Sequence, residues 1–339
     1  MMEDLERIWS ELERDRAQNE GYLRLRVRPS SHCGLFLAVE KPSNNRALLL
    51  EVPAAVIPPK TEYPQSSGFK VTPVPITHGP SGEVRLILAI DNNKYVDIFS
   101  VLVGDIIDHV AIQPDQPSGV KEFISRLIRW QEFLRRHTPE GLGDQAQQGL
   151  YGELWFLQNF IVPNMEAVDA ARAWVGPLRA NQDFQLHRCA VEVKTTSAEA
   201  HQVIHITNVR QLDDMGIECL LLFHISFDIR LGGVQSLPEL VHEIRTLLEN
   251  QDPEALYLFN ERLIDAGYLD IHESRYQEPK YAVRNSHFFR VRKGFPRILE
   301  SELPLGIGDV QYSIAVASCM PFKVDEVAAA GYILGEHNA

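Results

Sequence analysis

The stretch that most constrains this chain runs from Asp183 to Lys194, DFQLHRCAVEVK. DFQL and AVEVK are short runs of β-formers on either side of His187–Arg188, a pattern that predicts a hairpin. A loop of even length centred there sets Asp183 opposite Glu192 and Phe184 opposite Val191. Side chains directly opposite have Cβ atoms about 4.5–5.5 Å apart, and like charges so placed repel. Glu192 and Lys194 share one face of the second strand, whereas Val191 and Val193 point to the other. The register is the vulnerable step: His-Arg is not a favoured two-residue turn, and a three-residue loop destroys the pairing. With the even loop, two carboxylates and an ammonium gather on one patch. A hard divalent cation taking oxygen ligands relieves the repulsion between the acids.

A preceding helix offers a third acid. Leu150, Leu154, Leu157 and Ile161 recur at helical spacing, and Glu153 lies one turn from both Leu150 and Leu157. A carboxylate beside an apolar stripe is costly to bury without compensation, which a metal or Lys194 can supply. Taken singly, each residue has a plainer reading: Glu153 as a half-exposed helix acid, Asp183 as a strand-start residue, Glu192 and Lys194 as a solvated pair. The ordered set is far less easily accidental.

Helix-Glu, strand-Asp and strand Glu-x-Lys, in that order, resemble the PD-(D/E)XK nuclease superfamily, the fold of many restriction and repair endonucleases. GLYGELWFL, WVGP, DF, VEVKTT and ITNVRQL resemble more closely an uncharacterised PD-(D/E)XK family associated with bacterial restriction and phage defence. The resemblance is strongest over about residues 145–225. It implies that Asp183 and Glu192, with Glu153 completing the acidic cluster, bind catalytic Mg2+ or Mn2+, and that Lys194 orients or activates the attacking water. One departure is Gln182, where the superfamily name has proline. Gln211 falls in the helix expected after the third strand and is read as a helix-surface polar residue.

Composition sets limits on the rest. No apolar run approaches the roughly 20 residues of a membrane span, and MMEDLERIWSELERDR is a charged amphipathic helix rather than a leader. Cys33, Cys189, Cys219 and Cys319 have no CxxC spacing, so reduced, buried thiols of a cytoplasmic protein are expected and zinc is not. Net charge is −13, awkward for a DNA-binding protein, but it is unevenly spread. Residues 211–273 carry 13 acids against 3 Lys/Arg, while residues 275–297 carry 7 Lys/Arg against Glu278. Within the basic segment, Arg284, Arg290, Arg292 and Lys293 interleave with Tyr281, Phe288 and Phe289, as suits phosphate contact and base stacking. An amphipathic strand with its arginines in water fits equally well.

Along the chain, YLRLRV, GLFLAV, ALLLEV, VRLILAI and YVDIFSVLV read as strands separated by Pro, Gly and Asn turns, a β-rich N-terminal domain over 1–115. Arg24, Arg26 and Arg28 alternate along the first of them, a solvated face or a phosphate-facing one. Residues 116–230 are expected to form the nuclease-like core, an αβββαβ unit with a mixed central sheet. It opens on a helix over 119–137, with Ser118 as N-cap and Arg126, Arg129, Arg135 and Arg136 around it. Residues 231–339 form a C-terminal α/β extension, giving an α/β (α+β) protein. His201, His205 and His224 are read as structural histidines rather than ligands. No Walker A loop, GxSxG elbow or GxGxxG is present, so no ATP-driven motor is expected.

Two classes of function follow. The first is an Mg2+-dependent restriction or phage-defence endonuclease acting on DNA, as a homodimer, with methyltransferase and ATPase partners. The second is a non-cleaving DNA-binding or assembly subunit of a defence complex; a repair nuclease is a third.

Overall fold

A computed structural model describes residues 2–17, 19–58, 62–77, 82–230 and 233–335. The chain divides into two compact units, residues 1–140 and 141–339.

The first unit begins with helix α1 (Met2–Arg14). Strands β1 (Gly21–Val27), β2 (Gly34–Lys41), β3 (Asn45–Pro53), β4 (Phe69–Pro75) and β5 (Glu83–Ile90) follow, then helices α2 (Val96–Ala111) and α3 (Gln116–Arg136). The strands form one antiparallel sheet ordered β1-β2-β3-β5-β4. Period-two alternation buries Leu35, Leu37 and Val39 with Leu48, Leu50, Leu86 and Leu88. Pro73 and Pro75 cannot donate to a ladder, and β4 accordingly lies at an edge.

YVDIFSVLV, expected as a strand, instead supplies the N-cap and the first half of helix α2. Extending the run to Ala111 brings Ile98, Phe99, Leu102, Val103, Ile106, Ile107 and Val110 onto one buried face, the 3.6-residue period that a nine-residue window hides. Helix α3 belongs to this unit rather than opening the second. Its N-cap is Asp115, whose carboxylate accepts from the N–H of Ser118 at 2.8 Å, so the capping roles of those two residues are the reverse of expectation. Arg126 is buried in an ion pair with Asp105, which also accepts from the Trp130 indole at 2.7 Å.

The second unit contains α4 (Asp144–Phe156), α5 (Ala167–Ala173), β6 (Phe184–Gln185), β7 (Cys189–Thr196), β8 (Val203–Ile206) and β9 (Cys219–Arg230). After these come α6 (Leu237–Gln251), α7 (Pro253–Asp265), β10 (Lys280–Val291), β11 (Tyr312–Ala315), α8 (Val316–Cys319), β12 (Lys323–Val324) and α9 (Glu326–Leu334). Its main sheet is ordered β12-β10-β9-β7-β6; β7 and β9 run parallel and the other neighbours antiparallel, so the sheet is mixed as expected. Residues 231–339 are no appendage, because β10 and β12 complete this sheet. The third strand of the expected αβββαβ order departs: β8 pairs with β11 in a separate two-stranded sheet. One face of the main sheet packs Val191, Val193, Leu221, Phe223 and Ile225 against Leu154, Leu157 and Ile244 of the helices. The other packs Ala190, Leu220, Leu222 and Phe289 against Ile204, Ile206 and Ile314 of the small sheet.

Candidate metal centre

The hairpin forms in the even register. Phe184 pairs with Val191 and Gln185 with Ala190, and the N–H of Leu186 donates to the carbonyl of Cys189 at 2.8 Å, leaving His187–Arg188 as the turn. Asp183 therefore falls opposite Glu192, just outside the regular strand. Its Oδ2 accepts from the Val193 N–H at 2.7 Å, and its carbonyl accepts from the N–H groups of Val175 and Gly176, each at 2.9 Å. The residue is tied to β7 on one side and to the WVGP segment on the other.

Two glycines let the third acid reach this point. A Cβ on Gly152 would lie 2.2 Å from Cγ2 of Thr195, so α4 sits against β7 at a distance only glycine allows. The Gln148 side chain donates to the Thr195 hydroxyl at 3.1 Å one turn earlier. Glu153, next in sequence, then points its Oε2 at Gly176, where a Cβ would meet this oxygen at 3.1 Å and Oδ1 of Asp183 at 2.9 Å. The Trp174 indole donates to the same Oε2 at 2.8 Å. WVGP thus supplies a donor for Glu153 and a bare Cα against which two carboxylates converge.

Glu192 is 1% exposed. Its Oε1 lies 2.7 Å from Lys194 Nζ, yet neither oxygen has a partner at hydrogen-bonding distance and angle. Burial first, then the charge on Asp183, pushes its carboxyl up to about 8. Burial also raises Asp183, against Lys194 and the Val193 N–H, and raises Glu153, where Asp183 and Glu192 add to it and the indole opposes. Burial pulls the Lys194 amine down, but Glu192, Asp183 and Glu153 outweigh it, and the net shift is upward. The four side chains form one electrostatic unit in which Lys194 faces three buried acids. Among the described residues, the oxygens of Glu153, Asp183 and Glu192 do not all come within 4.8 Å of one another.

Gln211, expected on a helix surface, adjoins this site. It lies in a one-turn helix (Val209–Leu212), where its Oε1 accepts from the Thr207 N–H at 3.0 Å and its amide reaches Glu192. Gln182, in the place of the superfamily proline, is 3% exposed and donates to the Arg210 carbonyl at 3.0 Å, tying the Asp183 segment to the Gln211 turn. Trp174, Gly152, Gly176 and Gln182 had no assigned role in the sequence. Their signal was the WVGP and GLYGEL motifs, which carried likeness but no geometry.

The histidines stay apart from the acids. His205 lies on β8, its Nδ1 2.9 Å from the Ser313 hydroxyl. His224 pairs with Lys194 across β7 and β9, is 1% exposed, and has no hydrogen-bond partner on either nitrogen, so it is not the satisfied structural histidine expected. Burial pulls it down to about 4. The proposed phosphate-binding residues do not form one stripe. Arg284 donates to the Ala198 carbonyl at 2.9 Å, and Arg290 donates to the Tyr332 hydroxyl at 2.8 Å with its guanidinium 4.7 Å above that ring. Arg292, 6.0 Å from the Phe322 ring centre, and Lys293 are exposed.

A mixed α/β unit that brings a helix glutamate and a hairpin aspartate to a Glu-x-Lys strand is of PD-(D/E)XK type. The DUF4420 family model, described as "Putative PD-(D/E)XK family member", matches residues 5–317, and the chain belongs to that family. Neither the curated proteins nor the solved structures give a match.

Proposed function

We propose that this protein is a divalent-metal-dependent DNA endonuclease of restriction or phage-defence type. The observation that carries the reading is Glu192, a buried carboxylate raised by burial and by Asp183, set among two other acids with Lys194 Nζ 2.7 Å from its Oε1. One ammonium does not offset three buried carboxylates, and these are the hard donor set that Mg2+ or Mn2+ prefers. Asp183 and Glu192 would hold the ion, with Glu153 completing the cluster. When bound, such an ion stabilises charge on the phosphate and lowers the pKa of water. Lys194 is held in its charged form by the acids around it. In that form it cannot take a proton; it donates to the attacking water, fixes its approach and offsets charge on the phosphate. The Trp174 indole and the close approach at Gly176 orient Glu153.

A second reading, a non-cleaving DNA-binding or assembly subunit, is favoured by the net charge of −13 and by arginines already engaged within the protein, Arg126, Arg284 and Arg290 among them. Incubation with single-stranded, double-stranded and modified DNA, with Mg2+ or Mn2+, separates the two. The nuclease reading expects cleavage that Lys194→Ala lowers by roughly 100-fold or more. Equal cleavage by Lys194→Ala removes the assigned chemistry, and no cleavage of any substrate leaves the subunit reading. A homodimer, and methyltransferase or ATPase partners, belong to the same proposal.

A further inference from the structure

The face of the main sheet opposite Glu192 holds a feature that the proposed hydrolysis does not use. Cys189 and Cys219 begin β7 and β9 and are in-register neighbours of this parallel pair. Adjacent strands lie about 4.8 Å apart, inside the span of about 4.4–6.8 Å between Cα atoms that a disulfide bridges. Both are free thiols, buried in the same apolar cluster as Val191 and Leu221. The two thiols are coupled across the strand pair, which drives Cys189 well above its ordinary range and leaves Cys219 the more acidic partner, while the charge on Arg290 favours a thiolate on either. The hydrogen bond from Cys189 comes first in drawing the Cys219 thiol below its ordinary range, and Arg290 adds to it against burial. Cys189 also lines a cleft of about 310 Å³ with Leu186, His187, Ala190, Gly216 and Glu218, which opens beside the pair on its Cys189 side.

We propose that Cys189 and Cys219 are a redox-active pair that closes to a disulfide on exposure to peroxide, a reversible modification site on the strand that carries Glu192 and Lys194. The Cys219 thiolate attacks one peroxide oxygen, the O–O bond breaks, and the departing hydroxide takes a proton to leave as water. Cys189 then attacks the resulting sulfenic sulfur, the S–O bond breaks, and the hydroxide takes the Cys189 proton to leave as a second water. Two thiols are oxidised by two electrons and one peroxide is reduced to two waters. Cys33 and Cys319 are buried too, but neither has a cysteine neighbour in register.

The test treats the full-length protein with hydrogen peroxide and measures intact mass, free thiols in denaturant and disulfide-linked peptides. The expected result is a mass lower by two hydrogens, loss of two of the four thiols, a Cys189–Cys219 linked peptide, and full reversal by dithiothreitol. Cys189→Ala and Cys219→Ala should each abolish the linked peptide. If either variant fails to fold, peptide mapping of the wild type decides alone. Oxidation of Cys33 or Cys319 at an equal rate, or sulfinic acid without a cross-link, overturns the pair. The readout needs neither DNA nor metal, so it stands or falls separately from the nuclease reading.

Discussion

Glu192 concentrates the electrostatics of this protein in one side chain. Its folded carboxyl is pushed to about 8 from an ordinary 4.5, so the neutral form is favoured in the metal-free fold. That preference contributes stability fully below the unfolded value and loses it as pH rises through the folded one. With a chelator present, the wild type should melt at progressively lower temperature between about pH 5 and 8, relative to Glu192→Gln, which keeps a neutral side chain throughout. Asp183 and Glu153 shift in the same direction and reinforce the slope. Parallel melting curves for the two proteins would show that the Glu192 carboxyl is not strained. The residues behind this behaviour were legible in the sequence, because Asp183, Glu192 and Lys194 needed only strand alternation and an even turn to meet. Gln211 was not, since its reach to Glu192 depends on a one-turn helix held by the Gln182 amide.

Among the elements, the approach of α4 to β7 governs whether Glu153 arrives. A Cβ on Gly152 would meet Thr195 Cγ2 at 2.2 Å, with Ile225 Cγ2 and Thr195 Cβ next at 3.6 and 3.7 Å, and a β-branched side chain has little freedom to turn away. Gly152→Ala should therefore destabilise the unit by about 1–3 kcal/mol. Thr195→Ser deletes that methyl and keeps the hydroxyl that accepts from Gln148, so the double variant should recover most of the stability. Denaturant titration of the four proteins checks this; additive destabilisation would mean that the Gly152–Thr195 approach does not limit the packing. Local pattern served well where one element sufficed: Leu150 and Leu154, read at helical spacing, are buried on α4. It failed where pairing was non-local, as with β8, whose short apolar run carried no information about joining β11 rather than the core sheet. It failed again at α2, where strand-like composition concealed a helical period.

For the whole molecule, the proposed DNA substrate would have to be met by a chain of net charge −13. The basic segment read as a single stripe is divided: Arg290 is engaged with Tyr332 on the packed face, while Arg292 and Lys293 are exposed. Replacing Arg292 and Lys293 with alanine should weaken DNA binding and lower the salt slope of log K by roughly one for each phosphate no longer neutralised. Arg290→Ala should act mainly on stability, because its guanidinium is held against Tyr332 of α9. Titration at several salt concentrations distinguishes them; an unchanged slope in the double variant would move the DNA-binding surface elsewhere. Three segments were expected, bounded after residues 115 and 230, whereas the chain divides into two units. The boundary falls after α3, because Arg126 and Trp130 bind that helix to Asp105 of α2.

Thermal melting against Mn2+ or Mg2+ tests the proposed divalent-metal site at Glu153, Asp183 and Glu192. An ion binding only the folded state adds about 2.7 kcal/mol at 100 times its dissociation constant, which raises the melting temperature of a unit of this size by roughly 5–10 °C. Such a shift is expected in the wild type and should disappear in both Asp183→Asn and Glu192→Gln. A shift fully retained in those two variants would place the metal away from these acids.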